Sequence, residues 1–484
     1  MNLQKEHAGK MTNFRWTVVA MLFAATTINY LDRQVLSLTW DEFIKPEFHW
    51  NESHYGTITS FFSIFYAVSM LFAGRFVEWV GTKKGYLWAI GIWSVGACMH
   101  AGAGLVTEYY VGLGSAAELA AATGSVAVVI ATVSMWAFLV ARGVLALGEA
   151  GNFPAAIKAT AEYFPKKDRA YATSIFNAGA SIGALFAPLI IPPLAKAFGW
   201  EMAFIIIGVL GFVWMGYWIF IYDDPAKNKR VNKRELAYIR QDEEESTTEG
   251  EEVKRVSLKQ CFKFKQTWAF VAGKFMTDGV WWFFLFWTPS YLNTQFDIKT
   301  SDGLGMALIF TLYLVVTVLS IYGGKLPTVY VNRSGLDPYA ARMKAMLIFA
   351  FFPLVVLLAQ PLGMHFDYLG KHAAWIPVLL ISIGCAAHQA WSANLFSTVG
   401  DMLPQGAIAT VTGIGGMAGG ISSMIMQKSA GNLFHYAGEV NMTFMGFEGK
   451  PAGYFIIFCV CSVVYLIGWT IMKLLVPKYE VVTL

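Results

Sequence analysis

"DDPAKNKRVNKRELAYIRQDEEESTTEGEEVKRVSLKQCFKFK", residues 223–265, is the one long hydrophilic stretch of the chain, with 11 Lys/Arg and 10 Asp/Glu. Its centre, "DEEESTTEGEE", has no apolar side chain to pack, so the segment reads as a solvated linker that stays out of hydrocarbon. Within it, "NKRELAYIR" places Leu236 and Ile239 three apart, the pattern of a short helix lying on a membrane surface. The rest of the 484 residues is of another character: 56% hydrophobic, 15% aromatic and 14% charged, with a mean hydropathy of +0.50. Soluble chains carry about 25% charged residues, and a chain this poor in charge cannot cover a soluble surface. Apolar runs close to the ~20 residues that span a bilayer recur on both sides of the linker. The alternating ~10-residue strands of a membrane barrel are absent from the sequence.

The apolar runs predict twelve helices near 15–38, 55–78, 85–105, 129–153, 168–195, 200–221, 266–292, 303–328, 341–360, 373–402, 406–432 and 452–476. The expected fold is therefore an all-α integral membrane protein, with twelve transmembrane helices in two six-helix bundles. Its parts are an N-terminal bundle (1–222), the charged linker (223–265) and a C-terminal bundle (266–484). An Ala/Gly-rich stretch, 106–128, is too long for a turn and reads as an extra helix or hairpin at the outer surface. The first run is too long for a signal-peptide core and lacks a small-residue cleavage pattern, so it is expected to stay as an uncleaved first span.

Lys and Arg orient the bundle. With the N-terminus inside, the inner loops hold Arg75, Lys83, Lys84, Lys158, Lys166, Lys167, Arg169, Lys325, Arg333, Arg342 and Lys344. The outer loops hold only Lys45, Lys196, Lys299, Lys371 and Lys450, which places both termini in the cytoplasm of a cell whose inner membrane the chain crosses. The formal net charge of +4 forms no basic stripe with interleaved aromatics, which argues against nucleic acid as a partner. Five scattered cysteines, with only Cys459 and Cys461 close together, suggest small apolar packing rather than a zinc or disulfide framework. No phosphate-binding glycine loop, metal cluster or nucleophile–base pair stands out, so neither an enzyme nor a bound cofactor or metal is expected. Two six-helix halves around a charged loop suggest a carrier working by alternating access around a midplane site, acting as a monomer.

Charges inside the apolar runs mark the candidate site, because an ionisable side chain at membrane depth is expensive unless it pairs or lines a polar cavity. Asp32 and Arg33 stand side by side in "TTINYLDRQVLSL" (26–38). Neighbours on a helix point about 100° apart, so they face different surroundings. Arg142 and Glu149 are seven residues apart, two helical turns, on one side of the fourth span. An arginine keeps its charge and holds a carboxylate in a planar fork, so Arg33 and Arg142 suit an anionic substrate. A purely structural network, Asp32–Arg33 with Arg142–Glu149, is the alternative. Buried carboxyls such as Asp32 and Glu149 can titrate near neutral pH, as proton coupling requires. Tyr30 and Tyr66 are placed to donate to substrate hydroxyls, or else serve as core tyrosines. Trp281, Trp282 and Trp287 offer flat faces for a sugar ring, or packing. His388, Trp391 and Asn394 share one face of the tenth span and suit either substrate contact or helix–helix bonding. Lys274 and Asp278, four apart, read as a structural pair. The glycines of "GIGGMAGG" (413–420) read as close helix packing.

"GRFVEWVGTKK" (74–84) resembles the signature loop of the major facilitator superfamily, with Gly74, Glu78, Gly81 and Lys83 matching and Trp79 and Thr82 departing. "GKLPTVYVNRSG" (324–335) is a weak echo of it in the second half. "RGVLALGEAGNFPAAIKATAEYFPKKDRAYATSIFNAGASIGALFAP" (142–188) and "NYLDRQVLS" (29–37) resemble the anion:cation symporter family. "GKFMTDGVWWFFLFWTPSYL" (273–292) and "AAHQAWSANLFSTVGDMLP" (386–404) are similar to its hexuronate-transporter branch. The resemblance covers nearly the whole chain except 106–128 and the acidic linker. It implies a proton-coupled symporter that imports a small sugar-acid anion, foremost a hexuronate such as glucuronate or galacturonate. Aldonates of the galactonate type, or another organic anion, are the second choice. It further implies that Arg33 and Arg142 hold the substrate carboxylate and that Asp32 and Glu149 carry the proton, the coupling ion. The competing class is a membrane sensor that kept the bundle and lost cycling. Such a protein usually adds a folded soluble domain, and none longer than the linker is evident.

Overall fold

The computed structural model describes residues 11–241 and 256–482, so the acidic run of the linker, 242–252, lies outside the described residues. Twelve long helices occupy the expected positions. In the N-terminal half they are α1 (Arg15–Thr39), α2 (Glu52–Val80), α3 (Thr82–Ala101), α4 (Gly124–Glu149), α5 (Lys166–Phe198) and α6 (Trp200–Ile221). In the C-terminal half they are α7 (Lys265–Phe296), α8 (Gly303–Gly324), α9 (Pro338–Phe351), α10 (Trp375–Met402), α11 (Gln405–Glu439) and α12 (Lys450–Leu475). Among the described residues, eight helical units are long and apolar enough to cross a membrane, or nine when α3 is joined to its bent continuation. The long helices outside that group, α1, α7 and α11, are also the polar ones. α1 buries Asn29, Asp32, Arg33 and Gln34, α7 buries Lys274, and α11 buries Ser423 and Gln427. These side chains lower hydropathy because they face the interior rather than lipid.

Local chemistry sets several helix ends. Asn51 caps α2 reciprocally: its side chain accepts from the His54 N–H, and the His54 ring accepts from the Asn51 N–H, each at 3.1 Å. α12 begins at Lys450–Pro451, where the missing N–H of proline costs no helical bond. α4 breaks at Ala150–Gly151 and resumes as Asn152–Tyr163.

Three expectations change. The stretch 106–128 is neither a separate hairpin nor one extra helix. Ala103–Val111 continues α3 through a 44° bend, Ala116–Ala121 forms a six-residue helix, and α4 starts at Gly124. The ninth span is segmented, running from α9 through Phe352–Leu358 in 3-10 geometry to Ala359–His365, because Pro353 interrupts the α-helical bonding. The linker helix, Lys233–Ile239, is docked on the protein rather than laid on a membrane surface. Its Glu235 is fully buried and accepts from the Thr12 hydroxyl (2.5 Å), the Phe14 and Arg15 N–H groups (2.9 and 3.0 Å) and the Arg15 guanidinium (3.2 Å). One carboxylate thereby satisfies the free N–H groups at the start of α1, a donor set that needs an acceptor from elsewhere.

The halves join at the end of the bundle opposite the chain termini. There α2 crosses α11 with almost no side chain between them: a Cβ on Gly56 would lie 2.7 Å from the Gln427 carbonyl oxygen and 2.9 Å from the Gly431 Cα. Polar ties flank the crossing, including Ser63–Ser423 (2.9 Å), Lys428–Thr57 (2.6 Å) and Glu52 bound to both Lys45 (3.0 Å) and Lys450 (2.6 Å). Asn293 donates to Asp41 (2.9 Å), Ser301 to Glu42 (2.5 Å) and Thr300 to the Leu38 carbonyl (2.8 Å). Beneath them Trp40 stacks on Tyr55 with ring centroids 4.1 Å apart, and Trp287 closes edge-on against both. The α2–α11 contact reaches as far as Leu71 against Gly413. Nearer the termini, Phe72 and Trp79 of α2 are exposed. The ion pair Arg342–Asp401 and the bond from Lys158 to the Val77 carbonyl each stay within one half.

Candidate functional site

The pattern of α1 follows from its helical pitch. Asn29, Asp32 and Arg33 all lie on a buried arc, yet the 100° between Asp32 and Arg33 sends them to different neighbours. Arg33 reaches α4, where its Nε (3.0 Å) and Nη2 (2.8 Å) both donate to Oε2 of Glu149. The two side chains are 2% and 0% exposed, so the bond forms out of water's reach. Four aromatic rings surround the Arg33 guanidinium: Tyr30 at 4.9 Å, Tyr66 at 4.8 Å and Trp282 at 4.9 Å from its carbon, with Phe62 further off at 5.8 Å. Tyr30 and Tyr66 come from the N-terminal half and Trp282 from the C-terminal half, so the cage spans the two. Cation–π attraction of this kind strengthens when desolvated and holds the fork in one orientation.

The alternative pairing of Arg142 with Glu149 is not the one formed. Arg142 lies two turns from Glu149 along α4, and its carbon sits 5.3 Å over the Phe62 ring. Its Nε and Nη1 have no hydrogen-bond partner among the described residues, and neither does Oε1 of Glu149. Asp32 is 1% exposed, and both of its carboxyl oxygens are unpartnered. Four ionisable side chains thus share one ion pair. Buried polar groups in proteins are nearly always satisfied, and orphaned ones call for an explanation such as a ligand, water or ion.

Asn29 escaped the sequence reading. It is fully buried with both amide atoms unpartnered, one turn from Asp32 on the same side of α1. The signal was available, since an amide three residues before a carboxylate in an apolar run continues its polar face. Thr26 extends that face toward Asn152, whose amide nitrogen lies 3.5 Å from the Thr26 hydroxyl and whose oxygen accepts from Tyr86 (2.8 Å).

The C-terminal candidates fall elsewhere. His388 stacks on Trp281 (5.5 Å, 9°) and its Nδ1 meets the Tyr465 hydroxyl at 2.8 Å. Trp391 is fully buried, edge-on to Tyr465, and Asn394 donates to the Ala390 carbonyl of its own helix at 2.8 Å. These three belong to the packing of α7, α10 and α12 and are not brought to the Arg33 cage. Trp287 is part of the closed end, donating to Gln427 at 2.7 Å. Lys274 and Asp278 pair at 2.6 Å, as their spacing predicted.

Two bundles meeting at one end around a buried charged cluster is a carrier's geometry, and the sequence comparisons agree with it. The profile described as Major Facilitator Superfamily matches residues 22–426. The chain belongs to the Major Facilitator Superfamily. It is thus a multi-pass membrane transport protein and not an enzyme. Among its superfamily relatives, the "Hexuronate transporter" of Escherichia coli (strain K12) is 26% identical over 469 residues, covering 96% of this chain and 95% of that one. The "Galacturonate transporter" of Dickeya chrysanthemi is 27% identical over 293 residues, covering 60% and 76%. The crystal structure of a D-xylose-proton symporter superimposes with a TM-score of 0.67 at 13% identity, covering 96% of this chain and 98% of that chain, a likeness of fold.

Proposed function

We propose that this chain is a proton-coupled symporter that imports a sugar-acid anion, foremost a hexuronate, by alternating access. The observation that carries the reading is the buried, incompletely paired set of Arg33, Arg142, Asp32 and Glu149 beneath an aromatic cage. An arriving carboxylate has two guanidinium groups to engage: the unpartnered edge of Arg142, and Arg33 once it releases Glu149. Tyr30, Tyr66 and Trp282 then line the sugar, with polar rims and flat faces suited to a hydroxylated ring.

Release of Glu149 from Arg33 leaves a buried carboxylate without a counter-charge, and taking a proton is the inexpensive way to neutralise it. Substrate binding and protonation therefore help each other, and by linkage the help is mutual. Asp32, equally unpartnered, is the second proton carrier. With the chain termini in the cytoplasm, the orientation that the Lys/Arg bias supports, the sealed end faces outward. The relatives named for hexuronate and galacturonate transport support the substrate class. No second copy is required to complete the site, and the protein works as a monomer. A galactonate-type aldonate is the alternative substrate, since the same arginines hold its carboxylate.

The test is uptake of labelled galacturonate and galactonate into proteoliposomes carrying the purified protein, with and without an inward proton gradient. Accumulation driven by the gradient is the expected result. Binding without accumulation would instead make the protein a sensor, and accumulation indifferent to pH would remove the proton from the cycle.

A further inference from the structure

The second buried ion pair of the spans lies in the other half. On α7, Lys274 Nζ meets Asp278 Oδ2 at 2.6 Å, with side chains 8% and 14% exposed. Asp278 is one helical turn from Trp282 and about 40° from it around the axis, on the same side of α7 as the ring that Trp282 presents to Arg33. Lys274 is one turn further toward the chain termini, its Nζ 4.7 Å over the Phe396 ring. α11 packs directly against the carboxylate: a Cβ on Gly419 would lie 2.1 Å from Oδ2 of Asp278. The pair therefore lies one to two turns from Trp282, on the side of the chain termini. It offers three N–H donors and a carboxylate acceptor with no net charge.

We propose that Lys274 and Asp278 read the uncharged, hydroxyl-bearing end of a monoanionic sugar acid and select against a second carboxylate at that end. The inference rests on the sugar-acid reading above and narrows its substrate class. A hydroxyl both donates and accepts, so it can bond to the ammonium and the carboxylate together. A carboxylate end only accepts, finds Lys274 already neutralised and is repelled by Asp278. The charge count points the same way. Arg33 and Arg142 balance Asp32 and Glu149 when all four are ionised, so one proton offsets a monoanion. A dianion needs two protons, because Lys274 and Asp278 add no net positive charge. Uncompensated charge at membrane depth is costly.

Galactonate and galactarate share one six-carbon hydroxylated chain and differ at the far end, CH2OH against carboxylate, so they isolate the effect. Both, with galacturonate, are tested as competitors of labelled galacturonate on the purified full-length protein. The wild type should bind the better monoanion at least about tenfold more tightly than galactarate, the discrimination expected of one like-charge contact. Asp278→Asn leaves the Lys274 charge uncompensated and should cut that ratio by about tenfold or invert it. Lys274→Gln leaves Asp278 alone and should raise the ratio. Equal binding of monoanion and dianion by the wild type overturns the inference, and so does an unchanged ratio in Asp278→Asn. If Asp278→Asn does not fold, the Lys274→Gln ratio decides, and a ratio that stays or falls overturns it. Failure of the wild type to bind any of the three acids overturns the sugar-acid reading, and this inference with it. Binding without discrimination overturns the inference alone.

Discussion

In α1 and α4, four ionisable side chains share a single ion pair, and Asp32, Nε and Nη1 of Arg142 and Oε1 of Glu149 have no hydrogen-bond partner among the described residues. In α7 and α10 the charged side chains are paired and some polar ones bonded: Lys274 with Asp278, His388 with Tyr465, Asn394 with its own helix. Thr267, Thr288, Tyr291 and Nε1 of Trp391 have no partner among the described residues. Both halves carry ionisable groups within their spans. Among the described residues, the buried Arg, Asp and Glu atoms without a partner lie in the N-terminal half, so a ligand and a proton gain most there. The C-terminal half offers the paired Lys274 and Asp278 against which the rest of a ligand is measured.

The largest effects should separate the halves directly. Arg142→Ala and Arg33→Ala should lower uptake by about 100-fold or more, since truncating one partner of a buried charged contact costs roughly 2–5 kcal/mol. Arg142→Lys should also fail largely, a point charge being no substitute for the planar fork. Asn394→Ala removes a bond to its own backbone and should stay within about threefold of wild type. Equal losses from Asn394→Ala and Arg142→Ala would erase the distinction between the halves.

Glu149→Gln sharpens it further. The amide mimics the protonated acid and cannot hold Arg33 in an ion pair, so counterflow exchange should persist while pH-driven accumulation is lost. Asp32→Asn should weaken the proton drive with slower cycling. Full pH-driven accumulation by Glu149→Gln would move coupling to Asp32 alone. A third change acts where the halves meet: Gly56→Leu puts a side chain into the α2–α11 crossing. It should hold the sealed end open, raising thiol labelling of a Thr300→Cys reporter several-fold and cutting uptake about tenfold. A reporter as protected as in the parent would show that the crossing tolerates the bulk.

Two smaller effects test contacts outside the clusters. Glu235→Gln loses the carboxylate that caps α1 and pairs with Arg15, and should lower thermal stability by about 1–3 kcal/mol while transport persists. Removing 242–250 should leave uptake near wild type, and a loss with normal insertion would mean that the acidic run makes a regulatory contact. Glu47, in the turn after α1, separates pH effects on stability from those on coupling. Burial, with Glu201 and Glu108 nearby, pushes its carboxyl from 4.5 up to about 7, although Trp200 donates to it. A raised carboxyl binds its proton more tightly folded than unfolded. Its contribution is therefore fully present below about 4.5, is lost as pH rises to about 7, and is constant above that. Glu47→Gln should flatten that segment of the stability–pH curve and leave the pH dependence of uptake in place. An unaltered stability curve would assign the slope to other groups.

The membrane class, the helix positions and the identity of the charged candidates were legible in the sequence because each depends on composition along a short window. Fourteen per cent charge cannot cover a soluble surface, and an Asp-Arg step in an apolar run has few bland uses. Partnership was not legible. Seven-residue spacing puts Arg142 and Glu149 on one side of α4, yet Glu149 belongs to Arg33, because the rotation of α1 against α4 decides which guanidinium reaches Oε2. Nor could spacing tell that His388 would meet Tyr465, that Glu235 would cap a helix more than two hundred residues earlier, or that Gly56 and Gly431 would touch. Periodicity along one helix says which side of it is polar. Which neighbour that side meets is set by packing between helices far apart in the chain, and that belongs to the tertiary structure alone.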